Sequence, residues 1–96
     1  MMVLITYDVN TQTLAGQKRL RKVAKVCQNY GQRVQNSVFE CIIDTTQLKE
    51  LQAKLESLMN KEKDSIRYYY LGDHWRKRVE HMGVKDSLDL EGTLIT

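Results

Sequence analysis

An α+β fold, with two helices on one face of an antiparallel sheet, is predicted by three observations on this sequence. Apolar, β-branched and aromatic residues gather in extended runs at 2–9, 32–43 and 65–72. Two intervening stretches repeat apolar residues at spacings of three and four, as helices do. The order of these segments is βαββαβ in outline, which puts both helices on one side of the sheet.

The first strand is MVLITYDV at 2–9, and NTQTLAG follows it as a polar connection. From Leu14 to Tyr30, the residues Leu20, Val23, Ala24, Cys27 and Tyr30 form one buried helical stripe. Gly31 stands where a helix stop is expected. QRVQNSVFECII at 32–43 supplies the second extended region, with Gln35, Asn36 and Ser37 as a bulge or a short turn between two strands. Asp44-Thr45-Thr46-Gln47 has the spacing of a capping box. Leu48, Leu51, Leu55 and Leu58 make the apolar side of the second helix, Glu50 and Lys54 form an i,i+4 pair, and Asn60 to Asp64 closes it. SIRYYYLG is the last strong strand. A short helix is expected through WRKRVEHM, ending at Gly83, and a small final strand in GTLIT at 92–96. Residues 1–96 thus read as a single domain of ferredoxin-like type.

Composition narrows the function classes. With 42% hydrophobic and 28% charged residues the chain is globular, not a disordered tail. A domain of 96 residues buries only about 60–65% of its unfolded surface, and oligomerisation is one remedy. No apolar run approaches the ~20 residues that span a bilayer, and no basic leader precedes an apolar block, so a cytoplasmic protein without a membrane partner is expected. Cys27 and Cys41 have no metal-ligand spacing and read as reduced, buried thiols. His74 and His81 flank Trp75 without a third ligand nearby in sequence, so packing or surface roles are favoured over zinc. The net charge of +3 is uneven. Residues 1–43 hold six basic and two acidic residues, whereas 44–96 hold nine basic and ten acidic. A basic first half is compatible with a phosphate-backbone partner.

Alternation sorts the strands into faces. Val3, Ile5, Tyr7 and Val9 are the better set to meet the helices, which leaves Leu4, Thr6 and Asp8 on the open face. That face also carries apolar residues from the other strands, so a second subunit packed sheet to sheet is expected to cover it. Two roles are open to Asp8. It caps the strand end or pairs with a Lys or Arg; or two copies, one from each subunit of a homodimer, hold a hard divalent cation such as Mg2+. Lys18, Arg19, Arg21, Lys22 and Lys25 lie in the first helix, where a solvated face explains them as well as a nucleic-acid surface does. Arg33 is nearer the strand-end rim. Phe39 reads as core or interface, Ser37 as satisfying a bulge, and Glu40 as an ion-pair partner with metal binding as the alternative. A pair of aromatic motifs of the kind that make a sheet an RNA platform is missing.

YDV near the N-terminus, a basic first helix and YGQRVQNSVFE at 30–40 together resemble the small CRISPR-associated spacer-acquisition protein family, the smaller of the two near-universal adaptation proteins. The similarity runs through residues 2–71, and GDHW at 72–75 resembles the branch found with type I-C systems. It implies a ferredoxin-like homodimer packed sheet to sheet, with the last strand, here 93–96 within a segment 72–96, joining the partner's sheet. It also implies a metal-dependent endonuclease, on double-stranded DNA or single-stranded RNA according to branch, using Mg2+ or Mn2+. The family's first-strand aspartate matches Asp8, as catalytic residue and metal ligand. Its nucleic-acid-binding basic positions fall on Lys18, Arg19, Arg21, Lys22 and Arg33, and its supporting strand residues on Ser37 and Phe39. The rival role that the resemblance implies is a DNA-binding scaffold bridging dimers of the larger adaptation protein, an integrase.

Overall fold

A computed structural model describes residues 1–84. The chain runs β1 (Met2–Asp8), α1 (Leu14–Gln28), β2 (Gln32–Gln35), β3 (Val38–Ile42), α2 (Thr45–Leu58) and β4 (Ser65–Gly72), then a 3-10 turn at Trp75–Lys77. The four strands form one sheet in the order β2-β3-β1-β4, and every neighbouring pair is antiparallel. This is the predicted ferredoxin-like arrangement, with β1 and β3 in the middle and β2 and β4 at the edges.

The core follows the predicted alternation. Val3, Ile5, Tyr7 and Val9 of the first strand region are buried with Phe39, Cys41 and Ile43. Val23, Ala24 and Cys27 of α1 and Leu48, Leu51 and Leu55 of α2 close over them in one cluster. Each fully buried Leu, Ile or Phe contributes about 1.5–3 kcal/mol of transfer free energy. The Tyr7 and Phe39 rings stack with centroids 6.1 Å apart. Both cysteines are free, and burial pushes each thiol up to about 12, so they serve as apolar packing.

Caps decide where the helices begin. Asp44 accepts from the Gln47 amide at 2.7 Å, and Gln47 Oε1 accepts from the Asp44 amide at 3.0 Å, completing the predicted box. Thr13 caps α1 by accepting from the Gly16 amide at 3.0 Å. Gly31 is not the helix stop its position suggests. Helix α1 already ends at Gln28, and among the described residues only Gly72 and Gly83 have positive φ. Gly31 lacks a side chain for another reason: a Cβ there would run into the carbonyl of Glu40 and the Sγ of Cys41.

Two expectations beyond β4 differ. The helix expected through WRKRVEHM is only the 3-10 turn Trp75–Lys77, and His74 supplies no side-chain cap. Helix nucleation is costly without a surface to pack on, and Met82 and Val84 lie fully exposed. The strand expected at 92–96, with its exchange into a partner sheet, lies outside the described residues.

The other sheet face is left open by the helices. Cross-strand register lines up Gln32, Glu40, Leu4 and Tyr69 in one row, then Val38, Thr6 and Arg67 in the next. Asp8 opposite Ser65 ends the face. Apolar and ionisable groups alternate across it.

Candidate functional site

Asp8 is the last residue of β1, and the sheet explains its exposure. Its neighbour Tyr7 is buried on the helix side and donates its amide to the Ser37 carbonyl at 3.1 Å. Asp8 therefore points the other way, between the start of β4 and the β2–β3 turn. Its carboxylate has no hydrogen-bond or ion-pair partner among the described residues, so neither the strand cap nor a Lys or Arg pair is realised. What remains is a solvated carboxylate held on a central strand. Among the described residues no three His, Cys, Asp or Glu side chains gather as a metal cage.

The basic residues of α1 separate into two groups. Lys18, Arg21, Lys22 and Lys25 are exposed, and at about 100° per residue they share an arc of roughly 100° opposite the core stripe. None of the four is in an ion pair among the described residues. Arg19 is not part of that row. It lies on the flank of the helix, only 18% exposed, and its guanidinium is taken by Asp64.

Arg33 also keeps its distance from Asp8. It pairs in register with Phe39, and its guanidinium carbon sits 5.3 Å from the centroid of that ring, on the helix side of the sheet. Phe39 is fully buried and Ser37 is used through its carbonyl, so both support the strand end through packing and backbone pairing. The structure thus groups Phe39, Arg33 and Tyr7 on one face, with the basic row on the helix layer over that face and Asp8 on the other.

Asp64 is the residue that reading the sequence missed. It appears there only as a helix-closing polar residue, yet its side chain is entirely buried. It accepts from Arg19 Nε at 2.8 Å and Arg19 Nη2 at 3.2 Å, and from the Asn10 and Asn60 amides at 3.1 and 2.9 Å. The Arg19 hydrogen bonds hold its carboxyl below the usual aspartate value. Asn60 is four residues away, but Arg19 and Asn10 are 45 and 54 away in sequence, so no local signal reveals them.

Glu40 lacks the Lys or Arg partner expected for it. It sits half-buried on the open face, and desolvation raises its pKa. Directly across from it, Gln32 buries an Oε1 without a partner. His74 is exposed, and Trp75 is half-buried with the Arg76 guanidinium 4.5 Å over its ring.

Comparison with known proteins agrees with this fold. Residues 1–79 match the family model described as CRISPR associated protein Cas2. A protein of Halalkalibacterium halodurans named CRISPR-associated endonuclease Cas2 is 64% identical over 95 residues, covering 99% of each chain. One of Chlorobaculum tepidum named CRISPR-associated endoribonuclease Cas2 is 60% identical with the same coverage. The crystal structure of Streptococcus pyogenes Cas2 at pH 6.5 superposes with a TM-score of 0.76 at 55% identity, covering 86% of this chain and all of that one.

Proposed function

The chain belongs to the Cas2 family of CRISPR-associated proteins, and on that footing we propose that it is a nuclease of CRISPR adaptation whose reactive carboxylate is Asp8. The observation that carries this reading is the Asp8 carboxylate itself, exposed on a central strand and without a hydrogen-bond or ion-pair partner among the described residues. The phosphodiester substrate is double-stranded DNA. A straight row of lysines on one helix face suits a duplex backbone, although the relatives are named both endonuclease and endoribonuclease.

One carboxylate per chain is too few for an all-protein cage. It does suit Mg2+, or Mn2+, which takes one or two carboxylates together with water and substrate phosphate. The second Asp8 comes from a homodimer partner packed on the open face, whose apolar residues include the half-buried Leu4, Val38 and Ile42. A divalent cation bound there would acidify a water and offset the phosphate's charge. The protein's own part is to hold the two carboxylates in place on the open face, while Lys18, Arg21, Lys22 and Lys25 hold the duplex backbone on the helix side. In the cytoplasm its macromolecular partner is the integrase of the adaptation system.

A second reading has its own support. The basic row and Asp8 lie on opposite sides of the sheet, so binding does not require the cleavage site. In that case the protein is a DNA-binding scaffold between integrase dimers. An Asp8→Ala protein, first shown to remain dimeric, separates the two. The nuclease reading expects loss of Mg2+-dependent cleavage together with loss of spacer acquisition. Cleavage that persists undiminished overturns the role given to Asp8, and lost cleavage with normal acquisition makes scaffolding the biological role.

A further inference from the structure

We infer that Arg19 and Asp64 work as a positioning pair for Asp8, and that Arg19 is withdrawn from nucleic-acid contact. The cleavage part of this inference rests on the nuclease reading above; the binding part does not.

The geometry closes a small ring around the end of β1. Asp8 is the register partner of Ser65, the residue that follows Asp64. Two residues beyond Asp8, the Asn10 amide donates to Asp64 Oδ1 at 3.1 Å. The backbone leaving Asp8 is therefore fastened on both sides to the Asp64–Ser65 segment, by strand pairing at Asp8 and by a side-chain acceptor at Asn10. That acceptor is itself immobilised. Arg19 grips it with two nitrogens and the Asn60 amide adds a fourth donor at 2.9 Å. A paired Arg–carboxylate fork fixes orientation as well as distance.

Two consequences follow for the chemistry. A carboxylate offers about four acceptor positions, and Asp64 has all four engaged. It cannot serve as a second ligand beside Asp8, although it directly precedes Ser65, Asp8's cross-strand neighbour. The guanidinium also cancels a buried negative charge close to the strand end, which leaves Asp8 as the anion that a cation meets there. Arg19 thus differs from Lys22, three positions on, whose side chain is exposed.

The test compares Arg19→Gln, Asp64→Asn, the double variant and Lys22→Gln, each normalised to its DNA-binding-competent concentration. Duplex affinity is measured from 50 to 200 mM salt, and cleavage is measured against both substrate and Mg2+. Removing one phosphate contact flattens the slope of log K against log salt by about 0.9. Lys22→Gln is expected to show that change, and Arg19→Gln to keep the wild-type slope. Arg19→Gln and Asp64→Asn should each lower kcat at least tenfold with KM within twofold, and raise the Mg2+ midpoint at least threefold. A merely structural loss would lower the amplitude and leave that midpoint alone. The double variant should be no worse than either single one, because the pair acts as a unit.

A flattened slope in Arg19→Gln overturns the inference, as do wild-type cleavage in Asp64→Asn or multiplying losses in the double variant. If Arg19→Gln does not fold, Asp64→Asn carries the cleavage test, because a freed Arg19 acting on phosphate by itself would leave kcat unchanged. If the wild-type protein shows no metal-dependent cleavage, the nuclease reading fails and the salt slopes alone decide the place of Arg19.

Discussion

Replacing Lys18, Lys22 and Lys25 together by Gln should reduce the salt dependence of DNA binding by an amount the helix geometry sets. The three residues span seven positions of α1, and at 1.5 Å per residue that is about 10 Å along the axis. Duplex DNA presents one phosphate per 3.4 Å of axis on each strand, so the row covers about three phosphates. Each neutralised phosphate contributes about 0.9 to the slope of log K against log salt, which makes the loss about 2.7 per engaged protomer. Between 50 and 200 mM salt the wild-type protein should therefore lose about 40-fold more affinity than the variant does. All three side chains are exposed and outside any ion pair of the described residues, so the fold should shift by no more than about 0.5 kcal/mol. Fluorescence anisotropy with a labelled duplex across a salt series measures the slopes, and thermal unfolding checks stability. A triple variant whose slope stays within about 0.5 of wild type would show that this helix face does not meet phosphate.

Other consequences can be checked on the isolated protein. The Asp64 carboxyl is held below its ordinary 3.8 by Arg19, so its contribution to stability is present above that value and is lost as pH falls through the lowered pKa. Glu40 has the opposite sign. Burial raises it above 4.5, so its cost to stability builds as pH rises from 4.5 and is complete above the raised pKa, and Glu40→Gln should gain over wild type at pH 8 and lose that gain near pH 4 in urea unfolding. Gly31→Ala drives a Cβ into the backbone of β3 and should destabilise by about 1–3 kcal/mol, read as a lowered melting temperature; an unchanged melting temperature would refute the close approach. Asp44→Ala removes half of the α2 capping box and should cost about 1 kcal/mol in the same assay.

What could be read in advance was local or periodic. The period-two pattern of β1 divided Tyr7 from Asp8 correctly, because a buried face strongly specifies register. The capping box was legible because both partners lie within four residues. Gly31 was legible as special but for the wrong reason, since only the tertiary approach of β3 explains it. Arg19 and Lys22 both read as basic helix residues able to lean towards the sheet edge, and only the distant Asp64 sets Arg19 apart. The short helix after β4 was overestimated: among the described residues only Trp75–Lys77 forms a turn, and Met82, near its expected end, is left exposed. The general position of the candidate site was therefore readable, and the support holding it was not.

The sheet itself stands between the basic row of α1 and the carboxylate of Asp8. The buried core lies between the two sides, so effects of substitutions in the basic row and at Asp8 should add. Selection can then act on each property alone. A lineage could discard Asp8 and keep its grip on DNA, or change its grip and keep Asp8, without refolding anything in between.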